Sequence, residues 1–321
     1  MPSIARPFRR IIELLDSHRF QQNPADPNWT RSDPVRWIPY IILHAGCLGL
    51  IWVGFSWTAL LVAAFLYVVR MFAITGFYHR FFSHRTFRTS RFGQFIFAVW
   101  GNTAAQRGPL WWAAQHRKHH SHSDEPEDAH SPLQHGLYWS HFGWLTARSN
   151  MPTDLHLVPD LAKYPELVFL DRFDWIVPIL LGGFLYGLGE LLALTAPGLA
   201  TNGWQMLVYG FFVSTVVLFH ATCLVNSLAH TMGTRRFETK DDSRNNLFIA
   251  IVTMGEGWHN NHHRYPASAR QGFYWWEIDV TYYLLKAMQR VGLVWDIKPV
   301  PLKVLEDAKE RHRDKAVARA A

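Results

Sequence analysis

Four apolar runs constrain the fold of this 321-residue chain more than any other feature. The runs cover residues 37–55, 58–77, 175–196 and 204–228. Each is close to the ~20 residues that an α-helix needs to cross the hydrocarbon core of a bilayer. Tryptophans, whose indole rings favour the headgroup region, mark several edges of these runs: Trp37, Trp57, Trp175 and Trp204. A single run could be a buried helix of a soluble protein, but four together predict four membrane spans.

The charges that flank the runs predict how the chain is oriented. The short connections at 56–57 and 197–203 carry no Lys or Arg, whereas 6 of these residues precede the first run, 10 lie between the second and third, and 15 follow the fourth. The remaining one is Arg70, inside the second run. By the positive-inside rule the three basic segments and both termini are cytosolic. The predicted fold is all-α: two transmembrane hairpins under one helical cytosolic cap, in the inner membrane if the source is bacterial.

The runs also divide the chain into three parts. We expect a cytosolic segment at 1–36, a membrane domain at 37–299, and a charged tail at 300–321 that forms a solvated helix or frays. Two further apolar stretches, 95–100 and 247–254, are too short to cross a bilayer and are predicted to be interfacial helices or cap core.

Two function classes receive no support from the sequence. The two cysteines, Cys47 and Cys223, lie in apolar runs and form no CxxC pair, which argues against a zinc ribbon or a disulfide framework. The sequence pI is about 9.5, but the basic residues form no known nucleic-acid-binding motif, so nucleic acid is not an expected partner.

Eight of the 18 histidines lie in three boxes outside the apolar runs. The boxes are His79-x4-His84, His116-x2-His119-His120 and His259-x2-His262-His263, and His230 follows the fourth run. An α-helix turns by about 100° per residue, so the three histidines of an H-x-x-H-H box share one face and can converge on metal. The pair in the first box is about 140° apart on a straight helix. That spacing predicts either a distorted helix or ligands to two different metals.

The number of histidines indicates the kind of metal site. Neutral imidazole binds Fe, Zn, Cu and Ni alike, so the ligand type does not identify the element. Nine histidines are too many for one tetrahedral zinc ion and suit two ions of higher coordination number. Carboxylates beside the boxes are expected to orient the ring N–H groups: Asp124, Asp128 and Glu256. Glu256 as a general base is the alternative.

Other histidines are not expected to bind the metals. His44 and His220 lie inside predicted spans, where a hydrogen-bonded side chain facing the bundle is the favoured interpretation. Four more follow the second box without its same-face spacing: His122, His130, His135 and His141.

The three histidine boxes resemble those of the membrane acyl-CoA desaturases of the stearoyl-CoA delta-9 branch. The resemblance includes Gly255-Glu256-Gly257-Trp258 before the third box, and it extends from about Trp37 to Pro299. It implies that the nine histidines bind two ferrous ions, with O₂ as co-substrate, and that Asn226 contacts one iron through water. It also implies a bent apolar tunnel whose bend is lined by Gln106, Trp112 and Thr222.

The resemblance has one departure that bears on the substrate. Animal members carry Arg-Asp just before the second box, where they contact the CoA headgroup, and this chain has Ala114-Gln115. Acyl-CoA is the substrate that the family implies, while acyl chains on a carrier protein or on membrane lipid stand as alternatives. No haem-binding His-Pro-Gly-Gly segment and no flavin or ferredoxin domain is recognised, so the expected electron donor is a separate ferredoxin, rubredoxin or b-type cytochrome with its reductase.

Two other functions are alternatives to a desaturase. A membrane hydroxylase of the alkane or sterol type shares the poly-histidine di-iron chemistry and is the alternative enzyme. A metal transporter would place its ligands near the middle of its spans, whereas here every box lies in the predicted cap.

Overall fold

A computed structural model describes residues 12–20, 25 and 28–307. Within this part of the chain the regular structure is entirely helical, with isolated β-bridges but no strand. The predicted all-α fold class is therefore confirmed. Of the predicted terminal segments, residues 1–11 and 308–321 lie outside the described residues.

Four helices are long and apolar enough to cross a membrane, and they coincide with the four predicted runs. In chain order, the first to fourth spans are Pro34–Val53, Trp57–Ser83, Ile176–Thr195 and Gly203–His230. The second and fourth extend beyond the predicted ends at 77 and 228, because the chain remains helical where it enters the cap.

Tight connections join the spans into two hairpins. The first span consists of the helices Pro34–Cys47 and Leu50–Val53 and ends at Gly54, whose φ of 70° lies in the left-handed region that glycine tolerates best. The second span begins directly afterwards, with the Ser56 side chain accepting a hydrogen bond from the N–H of Ala59. Between the third and fourth spans the chain turns through the 3₁₀ helix Pro197–Leu199.

Arg70 is a buried cation that ties the second span to its neighbours. Its side chain is 1% exposed, and a charge in such a position is tolerated only when it is hydrogen-bonded. The guanidinium donates to the carbonyl of Thr103 (3.1 Å), to Oγ1 of Thr215 (2.7 Å) and to Oγ of Ser214. These bonds connect the second span to the fourth and to a loop of the cap.

The remaining helices form the cap. Those between the second and third spans are Arg91–Asn102, Pro109–His122, Pro132–His135, Leu137–His141, Pro159–Ala162 and Pro165–Arg172. Those after the fourth span are Leu247–Val252, His259–Arg264 and Val280–Arg290. Short 3₁₀ helices cover Ser17–Arg19, Gly143–Thr146, Arg148–Asn150, Leu155–Leu157 and Leu228–His230. The cap packs on the end of the second span, where the rings of Phe77 and Phe97 stack at 3.7 Å.

Both short apolar stretches are helical. The stretch at 95–100 lies in Arg91–Asn102, which buries Phe97 and exposes Phe92. The stretch at 247–254 gives the helix Leu247–Val252, whose Phe248 and Ile251 are exposed. An exposed apolar face next to four spans agrees with the interfacial interpretation.

The first residues of the predicted solvated tail differ from the expectation. Val304 is buried against Phe237 and Phe273, because the chain returns across the cap instead of leaving it. Asp307 accepts a hydrogen bond from Arg264 at 2.8 Å.

Candidate metal centre

The first histidine box lies on a π-helix at the end of the second span. The helix has α geometry over Trp57–Phe72 and π geometry over Ala73–Ser83. A π-helix bonds each N–H to the carbonyl five residues earlier, and the N–H of His84 donates to the carbonyl of His79 in this way (3.3 Å). Residues five apart then lie above one another, and the two rings are 5.0 Å apart. The predicted distortion is present, and it allows both histidines to face the same site.

The second and third boxes each divide between two sites. On the helix Pro109–His122, Nε2 of His116 and Nε2 of His120 are 3.0 Å apart, while the ring of His119 is 6.1 Å from that of His116. On His259–Arg264, the rings of His259 and His263 are 4.3 Å apart. In each box the pair four residues apart joins one site, and the remaining histidine joins the other.

The nine predicted histidines form two clusters, in each of which the candidate ligand atoms lie within 4.8 Å of one another. The first cluster is His79, His84, His116, His120 and His262. The second cluster is His119, His230, His259 and His263. These are the nine residues that the sequence predicts as metal ligands.

Distances within the clusters fit metal coordination better than hydrogen bonding. In the first cluster, Nε2 of His120 lies 3.0 Å from Nε2 of His116 and 2.9 Å from Nε2 of His262. One ring nitrogen has a single proton or lone pair and cannot bond to both neighbours. Two nitrogens bound at right angles to one ion, each at about 2.1 Å, would lie about 3.0 Å apart.

Buried ring nitrogens without a partner support the same interpretation. Among the described residues, Nε2 of His263 is buried without a hydrogen-bond partner, while its Nδ1 donates to Asp241. Burial holds the pKa values of several cluster histidines well below the usual value, and the neighbouring histidines lower them further: His84, His116, His120, His259 and His262. Neutral imidazole is the form that binds metals, so the residues present fit a pair of metal ions.

All three predicted carboxylates contact cluster histidines. Nδ1 of His230 donates to Asp124 (2.8 Å), and Nδ1 of His119 donates to Asp128 (2.9 Å). Glu256 accepts from Nδ1 of His79. Contacts of this kind fix the tautomer so that Nε2 is free for metal.

The electrostatics keep these carboxylates ionised. Burial acts to raise the pKa of Asp124, but its hydrogen bond with His230 and further donors lower it to about 2. Burial likewise opposes ionisation of Asp128, but its interactions with His130 and His119 outweigh burial and lower its pKa. Glu256 is fully buried, and its oxygens also accept from Arg80 and Gln271, at 3.0 Å each. These contacts favour the orienting role of Glu256 over the general-base alternative.

Sequence analysis missed a fourth carboxylate, Asp241. Its Oδ2 accepts from Nδ1 of His263 at 2.7 Å, and the interaction with His263 lowers its pKa despite burial. Asp241 is 22 residues from its partner and beside no box, so no spacing signal identifies it. Gln271 was also missed, although its Nε2 lies within 3.3 Å of Nδ1 of His79.

The histidines that were not expected to bind metal lie outside both clusters. His44 and His220 bond to each other inside the membrane region, with their Nε2 atoms 3.0 Å apart, and Nδ1 of His220 faces Nε2 of His141 at 3.0 Å. His135 contacts the carbonyl of Asp128, and His122 contacts Glu125 at the surface. His130 comes nearest, with its ring 4.5 Å from that of His119.

Two cavities meet beside the clusters. The inner cavity is lined by Met71, Ile74, Thr75, Val225 and Thr253, and the outer cavity by Tyr40, Arg107, Gln115, Trp144 and Phe219, among others. Both are lined by Trp112, His116, Thr222 and Asn226. Gln106 lines the outer cavity, and its Nε2 donates to Oγ1 of Thr222 at 3.0 Å. The three predicted tunnel residues and Asn226 thus lie where the cavities join.

Comparison with known proteins identifies the family. The family model described as fatty acid desaturase matches residues 55–296. The chain belongs to this family. As a desaturase it is an oxidoreductase of lipid metabolism, and its four candidate spans agree with a membrane protein.

Three relatives illustrate the range of substrates within the family. An sn-2 palmitoyl-lipid 9-desaturase of Nostoc is 36% identical over 86% of this chain and 94% of its own length. An sn-1 stearoyl-lipid 9-desaturase of Anabaena variabilis is 37% identical over 81% and 91%, respectively. An acyl-CoA 5-desaturase of Anemone leveillei is 38% identical over 86% and 82%. The acyl carrier and the double-bond position therefore differ among similar desaturases.

Proposed function

We propose that this desaturase introduces a cis double bond at carbon 9 of a saturated acyl chain, with two irons held by the histidine clusters, O₂ as co-substrate and electrons from a separate protein. The observation that carries the proposal is that histidines of both clusters line the inner cavity, while His116 of the first cluster also lines the outer one. Iron would supply the oxidation of unactivated C–H bonds, which is beyond acid–base side chains.

The chain's own residues position the substrate. Besides cluster histidines and Glu256, the inner cavity is lined by buried apolar side chains such as Met71 and Ile74, which suit a hydrocarbon and exclude water. Gln106 and Thr222 hold the two sides of the junction together. An acyl chain that bends there would bring one C–C bond beside both clusters, and holding it in place contributes to the rate. Asn226 would contact one iron through water.

For the acyl carrier we propose membrane glycerolipid. The names of the Nostoc and Anabaena relatives specify lipid-linked acyl chains. The position of the CoA-contacting Arg-Asp pair holds Ala114-Gln115, and the amide of Gln115 is engaged with the carbonyl of Asn150 at 3.2 Å. Acyl-CoA is the second candidate, favoured by the Anemone relative.

We also propose that the cap, both termini and the metal centre face the cytosol. The excess of Lys and Arg in these segments supports this orientation. An acidic redox protein, such as a ferredoxin, rubredoxin or b-type cytochrome, would then meet a basic surface.

Expression in a strain that requires unsaturated fatty acids tests the reaction. We expect growth without supplement and a new double bond at carbon 9, located by mass spectrometry of the lipids. The purified protein should contain about two irons per chain, and it should act on stearoyl glycerolipid in membranes in preference to stearoyl-CoA. Growth without iron in the protein would contradict the metal assignment. A product that gains oxygen instead of losing two hydrogens would identify a hydroxylase.

Variants in each cluster test the ligands. His120→Ala in the first cluster and His119→Ala in the second should abolish desaturation while the protein stays in the membrane. His122→Ala is the matched control, because this histidine lies on the same helix, belongs to neither cluster and contacts Glu125 at the surface. Full activity of both cluster variants would remove these ligands from the proposal.

A further inference from the structure

The two cavities differ in the side chains that line only one of them. Besides cluster histidines and Glu256, the inner cavity is lined by Met71, Ile74, Thr75, Val225 and Thr253. The outer cavity carries polar side chains, including Arg107, Gln115 and His130. A fatty acyl ester has an apolar methyl end and a polar carbonyl end. The polarity of the walls therefore directs the methyl end into the inner cavity and the carbonyl into the outer one.

Trp144 lines the outer cavity and, in the described part of the chain, has a buried indole N–H without a hydrogen-bond acceptor. Its side chain is 5% exposed, and Nε1 is buried without an acceptor among the described residues. Trp111 lines the same cavity but donates to the carbonyl of Asn150 at 2.7 Å. Of the tryptophans in the part of the chain that the structure describes, Trp144 alone has a buried, unpaired N–H. Leaving such a donor unpaired is costly, so an acceptor is expected there.

The donor is held rigidly and has a polar neighbour. The Trp144 ring stacks on Trp111, with centroids 5.7 Å apart, and its carbonyl accepts from Asn150 at 2.9 Å. The ring of His130, which is 7% exposed, lies 4.7 Å from that of Trp144. Nδ1 of His130 also lacks a hydrogen-bond partner within the described residues and lies 3.5 Å from Asp128. Trp144 and His130 both line the outer cavity, so their two unpaired polar atoms indicate a place for a polar group of the substrate.

We propose that the acyl carbonyl of the substrate, whether ester or thioester, accepts a hydrogen bond from Nε1 of Trp144. This inference rests on the proposed function and assigns a specificity-determining residue to it. The bond would anchor the carboxyl end of the acyl chain at a fixed distance from the two clusters. The number of methylenes between the anchor and the metal centre then determines which carbons are desaturated, counted from the carbonyl.

Matched probes test the anchor by binding, without turnover. Methyl stearate is compared with octadecyl methyl ether, and stearoyl-CoA with S-octadecyl-CoA; each second probe lacks only the carbonyl oxygen. Wild-type protein should bind the carbonyl probe about fivefold more tightly, the size expected for one neutral hydrogen bond. The pair in which this preference is larger identifies the carrier, ester lipid or CoA.

Two replacements of Trp144 remove the donor. Trp144→Phe removes the N–H and part of the ring, and incorporation of 3-benzothienylalanine at position 144 replaces only the N–H by sulfur. Both variants should bind the ether and the ester with equal affinity, and their affinity for the ether should equal that of the wild type. Trp139→Phe is the matched control. In the wild type the indole N–H of Trp139 donates to the carbonyl of Ala129 at 3.1 Å, and Trp139 lines neither cavity, so the preference for the carbonyl probe should persist in this variant.

The products give a second readout. Loss of the anchor should let the chain slide by whole methylenes, giving double bonds at several positions instead of one. The anchor is wrong if wild type shows no carbonyl preference, or if the sulfur variant retains both that preference and a single double-bond position. Failure of wild type to bind either probe of a pair would instead contradict the proposed function.

Discussion

At the scale of single residues, the candidate metal centre depends on carboxylates that hold imidazole rings as much as on the rings themselves. Asp124, Asp128 and Glu256 could be predicted, because they lie within a few residues of a box. Asp241 could not be predicted, because it lies beside no box and only the folding of a loop brings it to His263. Local periodicity predicts ligands on one helix face, whereas their orienting partners depend on tertiary structure.

Asp241→Asn tests the carboxylate that sequence analysis missed. The change keeps the shape of the side chain and removes the charge that stabilises the N–H of His263. Loss of such a partner typically lowers metal affinity 10–100-fold, so we expect iron content and desaturation to fall together. Metal analysis of the purified protein measures the first quantity. Asp242→Asn is the control, since Asp242 is partly exposed and pairs with Arg235 at 2.9 Å; equal metal content in the two variants would contradict the role of Asp241.

Thr222 tests whether the junction of the cavities is the tunnel bend. Thr222→Trp should block the path and lower activity far more than it lowers stability, whereas overpacking alone costs about 1–3 kcal/mol. Thr222→Ser keeps the hydroxyl that accepts from Gln106 and removes one methyl. We expect Thr222→Ser and Trp112→Phe to change chain-length preference or double-bond position in the lipid profile. Unchanged profiles in both variants would remove these residues from the tunnel while leaving the metal centre as proposed.

At the scale of elements, the π-helix Ala73–Ser83 shows what the spacing of two histidines can and cannot predict. The separation of His79 and His84 predicts that a straight α-helix cannot serve both at one site, and the structure has a distortion there. The spacing does not predict the form of the distortion, because either an unwound helix or a π-helix would let both histidines face one site. The choice follows from packing, since all eleven residues of the segment are buried.

The helix that carries the second box begins with an unusual cap. Its N-cap is Gly108, which has no side chain, and Asp171 accepts from the N–H of Trp111 at 2.7 Å instead. A carboxylate at a helix N-terminus also interacts favourably with the helix dipole. The position of His116 and His120 therefore depends on a residue more than fifty positions away.

Asp171→Ala should destabilise this helix. We expect a loss of at least about 1–2 kcal/mol, the usual effect of removing a cap, because the partly buried donors of Thr153 and His18 also lose their acceptor. The apparent melting temperature in detergent measures the effect, and iron content should fall with it. Asp154→Ala removes the exposed cap of Leu155–Leu157 and serves as the control. A decrease in melting temperature no larger than that of the control would show that the helix does not need Asp171.

At the scale of the whole molecule, the four spans could be predicted from the sequence, but the positions of the cap helices could not. Burial in lipid demands long uninterrupted apolar helices, and composition alone reveals them. The cap is built from short helices, several of four to six residues, whose positions depend on long-range contacts such as the stack of Phe77 on Phe97. The burial of Val304 within a predicted solvated tail has the same origin.

The orientation of the whole molecule gives the last prediction. Reporters fused before Met1 and after Ala321 should give cytosolic signals, and one inserted within Pro197–Leu199 should give the opposite signal. The reason is electrostatic: the predicted loops at 56–57 and 197–203 carry no Lys or Arg, whereas every flanking segment is basic. All nine cluster histidines lie near or beyond the ends of the second and fourth spans that enter the cap, so under the proposed function one compartment would supply both the iron and the electrons. A cytosolic signal from Pro197–Leu199 would break the two-hairpin topology and, with it, the requirement that iron and the redox partner reach the centre from the cytosol.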